Sequence, residues 1–227
     1  MDKELHLFLI WQNGRRLEEK ILTDIAGKLE IVKTYNISWS EANFADNLTR
    51  FYGKKLPRGC KKIKECGTGD FLLILVYDHN PCYYQGVNTN LTSLKYAYRQ
   101  WFGGGYLIHA SDSLREANEN LLFLLGKTVR ELASEIAEPW NKSHTGYKRD
   151  LVGADGWNSL DEVLAIARKV PETATEQKGS RPVIRTPAPD LMRRLLNAQK
   201  ACWGLRRNLY NIKINGRKIP LEIQALR

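Results

Sequence analysis

Apolar positions alternate between two periods along the first 126 residues. Leu5–Trp11 (LHLFLIW) is an unbroken apolar run ended by Asn13-Gly14, the signature of a strand and a turn. Leu17, Ile21, Leu22, Ile25 and Leu29 then fall at helical spacing, with Gly27 weakening the end. Glu30–Ile37 (EIVKTYNI) is rich in β-branched and aromatic residues and predicts a second strand. Ser38 or Ser40 caps a second predicted helix, which carries Phe44, Leu48, Phe51 and Tyr52. Gly69–Tyr77 (GDFLLILVY) is the strongest strand signal and reads as a buried central strand, because both faces are apolar. Thr92–Trp101 predicts a helix broken by Gly103-Gly104-Gly105, and a short strand follows at Leu107–His109. A further helix begins near Ser111, where Ser113 and Glu116 fit a capping box and Leu114, Ala117, Leu121, Leu124 and Leu125 form one stripe. Gly126 either ends that helix or lets it run on through Val129 and Leu132.

The pattern changes near residue 137. Pro139–Asn158 is polar and Gly-rich, like a linker, and Ser159–Val170 predicts one amphipathic helix. Pro171–Pro189 holds four prolines and is expected to be extended or disordered. Leu191–Leu205 predicts a basic helix, and Asn211–Gln224 a hairpin turning at Asn215-Gly216. The organisation expected is a mixed α/β domain over 1–137, a linker with one helix over 138–190, and a basic helix and β-hairpin extension over 191–227. The β-α-β-α-β-α-β-α order of the first part suits a ferredoxin-like α+β sandwich.

Charge sharpens this division. The chain has 227 residues and a net charge of +10, yet its last fifty residues hold 12 Lys/Arg against 2 Asp/Glu. A nearly neutral body thus carries a basic tail, which favours nucleic acid, nucleotides or an acidic protein surface, or is simply a solvated basic face. A second basic cluster comprises Lys54, Lys55, Arg58, Lys61, Lys62 and Lys64. Cys60, Cys66, Cys82 and Cys202 form no CxxC pair, which argues against a zinc site or a disulfide framework and for a reducing, cytoplasmic setting. No apolar run is long enough to span a membrane, and Met1–His6 is unlike a secretory signal.

Tyr106-Leu-Ile-His109-Ala-Ser-Asp112-Ser113 is the most informative stretch. A histidine just ahead of a helix start sits where unpaired N–H groups and a partial positive charge suit phosphate. A neutral imidazole can act there as nucleophile or acid/base, or can be an ordinary histidine beside a capped helix.

His109-Ala-Ser-Asp-Ser, with Glu116 and Ala117 after it, resembles the HGSDS segment of nucleoside diphosphate kinases. In that family the histidine carries a phosphoryl group between nucleotides. The resemblance extends over about residues 4–126. LHLFLIWQNGRR resembles the family's first strand and K-P-D-G turn, SWSEANFADNLTRFY the helix whose aromatic end, here Tyr52, lies near the nucleotide, and GTGDFLLILVY its central strand. Gly86-Val-Asn88-Thr-Asn leading to Arg99 parallels a segment ending in a phosphate-binding arginine. The resemblance implies His109 as the catalytic group, Arg99, Tyr52, Asn88, Asp112 and Ser113 as substrate-binding, Mg²⁺ accompanying a nucleotide, no metal held by protein ligands, and homo-oligomers. Three positions depart from it. The family's lysine falls on Trp11, its asparagine before the histidine on Tyr106, and its imidazole-orienting glutamate on Asn120. Arg15, Arg16 and Lys95 are other cations that could serve in the lysine's place.

In the tail, RKIPLEIQ faintly resembles a strand of nucleotidyltransferase domains that bears a metal-binding carboxylate, here Glu222, but the D-x-D pair that would complete a two-metal site is missing. Arg193, Arg194, Lys200, Arg206 and Arg207 interleave with Leu195, Leu196, Trp203, Leu205 and Tyr210, a pattern open to nucleic acid, protein or a membrane surface. Two functions follow. One is a nucleotide- or phosphate-ligand-binding domain with degenerate phosphotransfer through His109. The other is a non-catalytic module that uses its basic surfaces for nucleic acid or a protein.

Overall fold

In the computed structural model, which describes residues 3–53, 61–178, 181–201 and 208–226, the longest apolar run is the middle of a sheet. All eight residues of that strand, Phe71–Asp78, are buried. The chain divides into two units. The first comprises residues 1–45, 56–121 and 127–149, and the second 46–55, 122–126 and 150–227.

The elements running through the first stretch are β1 (Glu4–Ile10), a 3-10 turn (Gln12–Leu17), α1 (Glu18–Ala26), β2 (Glu30–Ser38), α2 (Phe44–Tyr52), α3 (Lys61–Cys66) and β3 (Phe71–Asp78). A small hairpin of β4 (Tyr83–Tyr84) and β5 (Val87–Asn88) leads into α4 (Thr89–Trp101), β6 (Ile108–Ala110), α5 (Leu114–Leu125), α6 (Val129–Glu135) and β7 (Thr145–Lys148). The sheet order is β6-β1-β3-β2-β7, antiparallel except for the β2–β7 pair. Because side chains alternate across a strand, Leu72, Ile74 and Val76 face one layer with Phe8, Ile10, Ile108 and Ala110, closed by Ile21 and Ile25 of α1 and Leu91 and Tyr98 of α4. Each buried aliphatic there contributes roughly 1.5–3 kcal/mol. On the opposite face Phe71 stacks with Trp11 and Trp39, ring centroids 4.6 and 4.8 Å away, and Phe44 lies 5.4 Å from Trp39.

Helix boundaries follow local chemistry. The α4 helix starts three residues before its predicted start, because the Asn88 side chain accepts from Leu91 N–H. After Trp11 the chain makes the 3-10 turn before α1, so the helix predicted from Leu17 starts at Glu18. Gly14 packs there against the Leu107 carbonyl, which accepts from Trp11 N–H at 3.0 Å. Neither Ser38 nor Ser40 starts α2 directly: Ser38 ends β2, and Ser40 closes a turn onto Asn43 N–H. The Ser113 cap predicted for α5 is present, accepting from Glu116 N–H at 3.2 Å. Gly126, at φ +68°, ends that helix, and Thr128 opens α6 with a reciprocal capping box.

The second unit holds α7 (Leu160–Arg168), β8 (Ala174–Lys178), β9 (Arg181–Thr186), α8 (Pro189–Leu195), β10 (Gln199–Lys200), β11 (Leu209–Ile214) and β12 (Arg217–Ala225). Its sheet runs β10-β11-β12-β9-β8, with β12 and β9 parallel. Val163, Ala167, Ile184, Met192, Leu195 and Leu221 are among its buried residues. The hairpin turn at Asn215-Gly216 is present with both residues at positive φ. The proline-rich 171–189 stretch takes its extended form as the β8–β9 pair. The basic helix predicted to reach residue 205 is corrected: α8 stops at Leu195, and Asn197 turns the chain at φ +52° into β10. Arg50 and Arg194 explain that end, since each guanidinium donates to carbonyls at the other's helix terminus: Arg50 Nε to Arg194 O (3.0 Å) and Arg194 Nη1 to Arg50 O (2.6 Å). Among the described residues no helix is long and apolar enough to cross a membrane.

Candidate functional site

The alternation that sends Ile108 and Ala110 into the apolar layer turns His109 to the other face of β6. His109 is only 6% exposed. Its Nε2 lies 2.8 Å from Asn120 Nδ2, on the helix after the Ser113 cap. Burial, then the charges of Lys95, Lys62 and Arg99, push its pKa down to about 3, so the ring is neutral at physiological pH. Three cations therefore converge electrostatically on an imidazole that cannot share their charge.

Each cation is held by the fold. Lys95 is 5% exposed and ion-pairs with Asp112. Thr92 Oγ1 donates to the same carboxylate at 3.2 Å. Arg99 Nε donates to Ile108 O at 2.9 Å, and its guanidinium carbon lies 5.6 Å from the Tyr96 ring centroid. Lys62, on α3, lies over Tyr106 at 5.4 Å. At the entry to α5, Asp112 N–H donates to Glu116 Oε2 at 2.6 Å, and burial raises the Glu116 pKa.

Of the residues singled out by sequence, His109, Arg99, Asp112 and Ser113 thus gather around β6 and the start of α5. The Asn88 side chain is engaged within the fold. It caps α4 and donates to Asp78 Oδ2 at 3.0 Å, inside a buried network. That network includes His6, whose Nδ1 is 3.1 Å from Ser111 Oγ and whose Nε2 is 3.1 Å from Glu4 Oε2. Ser111 is fully buried and also accepts from Leu7 N–H, so this serine–histidine–glutamate row braces β1 against β6. Tyr52 lies within the second unit, beside Phe51. Trp11, at the family lysine's position, is wholly buried in the aromatic cluster. Arg15 is engaged by Glu18 and Asn36, and Arg16 lies 5.2 Å from the Phe102 ring centroid. Asp78 is bonded by Asn88 and Asn90, and His79 by Glu30. Glu222 pairs with Arg181 at 2.8 Å, which lowers its pKa and leaves it a strand-to-strand tie. Lys54, Lys55, Arg58, Cys60, Cys202, Trp203, Leu205, Arg206 and Arg207 lie outside the described residues.

Sequence reading names Lys95 with Arg15 and Arg16 as a stand-in cation without choosing among them, although a signal for the choice existed. Lys95 occupies the buried stripe of α4 between Leu91 and Tyr98, where an unpaired lysine would be costly.

No family model matches this chain, and no curated protein is similar to it. Among solved structures it is similar to the nucleoside diphosphate kinase of Aquifex aeolicus in an orthorhombic crystal form, at 16% identity over 53% of this chain and 93% of that one, with a TM-score of 0.39.

Proposed function

We propose that the first unit binds a phosphorylated small molecule, a nucleotide in the first instance, at the cation group around His109. The observation that carries this reading is geometric: Arg99 is tied to the β6 backbone at Ile108 O, Lys95 is paired with Asp112 at the start of α5, and the buried His109 on Asn120 lies between those two anchor points in the chain. Positive charge held in a partly dry setting attracts phosphate strongly, and the capped start of α5 adds its own partial charge. The strand order β6-β1-β3-β2 supports a ferredoxin-like arrangement of the kind seen in the resembled family.

Binding is favoured over transfer. Asn120 holds the imidazole but carries no charge to balance the cation that forms when the ring attacks a phosphoryl group. Protein ligands for Mg²⁺ do not fit here: Asp112 is taken by Lys95 and Thr92, and Glu116 by a backbone N–H. The ion would ride on the nucleotide's phosphates, neutralising charge between them. The test is thermal unfolding with and without ATP, GTP or pyrophosphate. Millimolar ligand should raise the melting temperature of the native chain, by linkage, and not that of Lys95→Met. Unmoved melting in the native chain overturns the reading.

A second reading is favoured by the hairpin of the second unit. Lys213 and Lys218 stand directly opposite each other across β11 and β12, with Arg217 beside them, an arrangement that repels itself until an anion intervenes. It makes the hairpin a docking point for nucleic acid or an acidic protein, testable by salt-dependent retention on heparin.

A further inference from the structure

Near the carboxyl end of α4 and the glycine loop after it, cations lie over aromatic rings in succession. Lys20 Nζ is 4.2 Å from the Trp101 centroid. The Arg16 guanidinium carbon is 5.2 Å from Phe102, and Lys62 Nζ is 5.4 Å from Tyr106. Trp101 and Phe102 are adjacent, and Arg16 and Lys20 stand four residues apart, so the pairs form one strip within the first unit. Two open cavities border it. One of about 630 Å³ is lined by Lys20 and Trp101. The other, of about 480 Å³, is lined by Arg16, Phe102 and the three glycines.

The loop between them is built for bare backbone. Gly103, Gly104 and Gly105 have φ of +79°, +102° and +90°, values that side chains rarely adopt. A Cβ at Gly103 or Gly104 would meet nothing within 4 Å, so glycine is required there by conformation and the space beyond stays open. Tyr106, just past the loop, is 44% exposed.

The nearby acids are largely occupied. Asp24 is bonded by Lys28 and Tyr98, and Glu65 by Lys61 and Tyr106 N–H, leaving Glu19 at the rim. Among the described residues neither Arg16 nor Lys20 makes a carboxylate ion pair, although the Lys20 charge acts on Asp24, which is already paired with Lys28.

We propose that this strip binds single-stranded nucleic acid, with bases stacking on Tyr106 and the Trp101–Phe102 edge and phosphates held by Arg16 and Lys20. Cations alone would suit any polyanion. Rings interleaved with them suit unpaired bases, whose faces a duplex keeps stacked internally and an acidic peptide does not possess. The strip shares Lys62 with the His109 group, but its phosphate contacts, Arg16 and Lys20, are separate from it.

The test is fluorescence anisotropy of the full chain with a labelled oligo(dT) of roughly 16 nucleotides. Arg16→Gln/Lys20→Gln should weaken binding at least fivefold and flatten the log–log salt slope by about 1.4, since each single-strand phosphate contact contributes about 0.7. Tyr106→Ala should weaken binding roughly tenfold with the slope unchanged, as expected for a lost stacking platform. ATP-induced stabilisation should survive in the Arg16/Lys20 variant and vanish in Lys95→Met, so the two sites fail separately. Oligo(dT) bound no tighter than a duplex, equal displacement by poly-glutamate, or loss confined to Lys213→Gln/Lys218→Gln would each overturn the proposal.

Discussion

Acidification acts directly on the buried imidazole. His109 titrates near 6.5 in the unfolded chain and near 3 in the fold. A base whose pKa is depressed by folding binds fewer protons folded than unfolded across that window. Its contribution is therefore fully present above pH 6.5 and erodes as the pH falls toward 3. The slope is about 1.4 kcal/mol per pH unit, so at pH 5 the loss due to His109 is about 2 kcal/mol. Burial also lowers the His6 pKa, so His6 adds loss of the same sign. Asp24 and Glu222, whose pKa values are lowered, contribute further acid sensitivity. These backgrounds cancel in a comparison with His109→Gln, which removes only the proton-binding ring. Urea unfolding between pH 7 and 5, followed by tryptophan fluorescence, should show the native chain losing about 2 kcal/mol more than the variant. Parallel pH dependences would refute the claim that His109 is buried neutral.

Trp11→Lys, which restores the resembled family's residue, should cost about 4 kcal/mol or more in urea unfolding, because an ammonium would replace a ring in the Trp11–Trp39–Phe71 cluster. Gly153→Ala should destabilise the second unit by about 2–4 kcal/mol, since the added Cβ would lie 2.5 Å from the Trp157 ring at a φ of +70°; thermal melting reads this. Thr128→Ala should cost about 1 kcal/mol by removing the α6 capping box. Incubation with γ-labelled ATP and Mg²⁺ should leave no acid-labile label on the native chain beyond that on His109→Ala. Label specific to His109 would show that Asn120 suffices for transfer.

Elements carried by long apolar runs were legible in sequence. The Leu5–Trp11 and Phe71–Tyr77 runs are strands because nothing but a two-sided core satisfies them. A cap was legible where a side chain acts within three residues, as at Ser113. What local pattern did not reveal depends on distant partners. The end of α8 is set by Arg50, 144 residues away in sequence, and the 3-10 turn before α1 by Gly14 packing on Leu107. The site divides in the same way. The His109–Asp112–Ser113 row is a local motif and was read as one. The Asn88 cap on α4 and its bond to Asp78 join residues that the local pattern does not link. Lys95 joins the site through its pair with Asp112, 17 residues on in sequence, which no local pattern reveals.

Four histidines make the central claim open to direct observation. The measurement is an imidazole-region heteronuclear spectrum of the ¹³C/¹⁵N-histidine-labelled chain during titration with ATP at neutral pH. Binding at the cation group predicts a saturable shift of the His109 resonance, with the exposed His79 unmoved and the response lost in Lys95→Met. A His109 resonance unchanged at millimolar ATP, or uniform small shifts of all four rings, would contradict it.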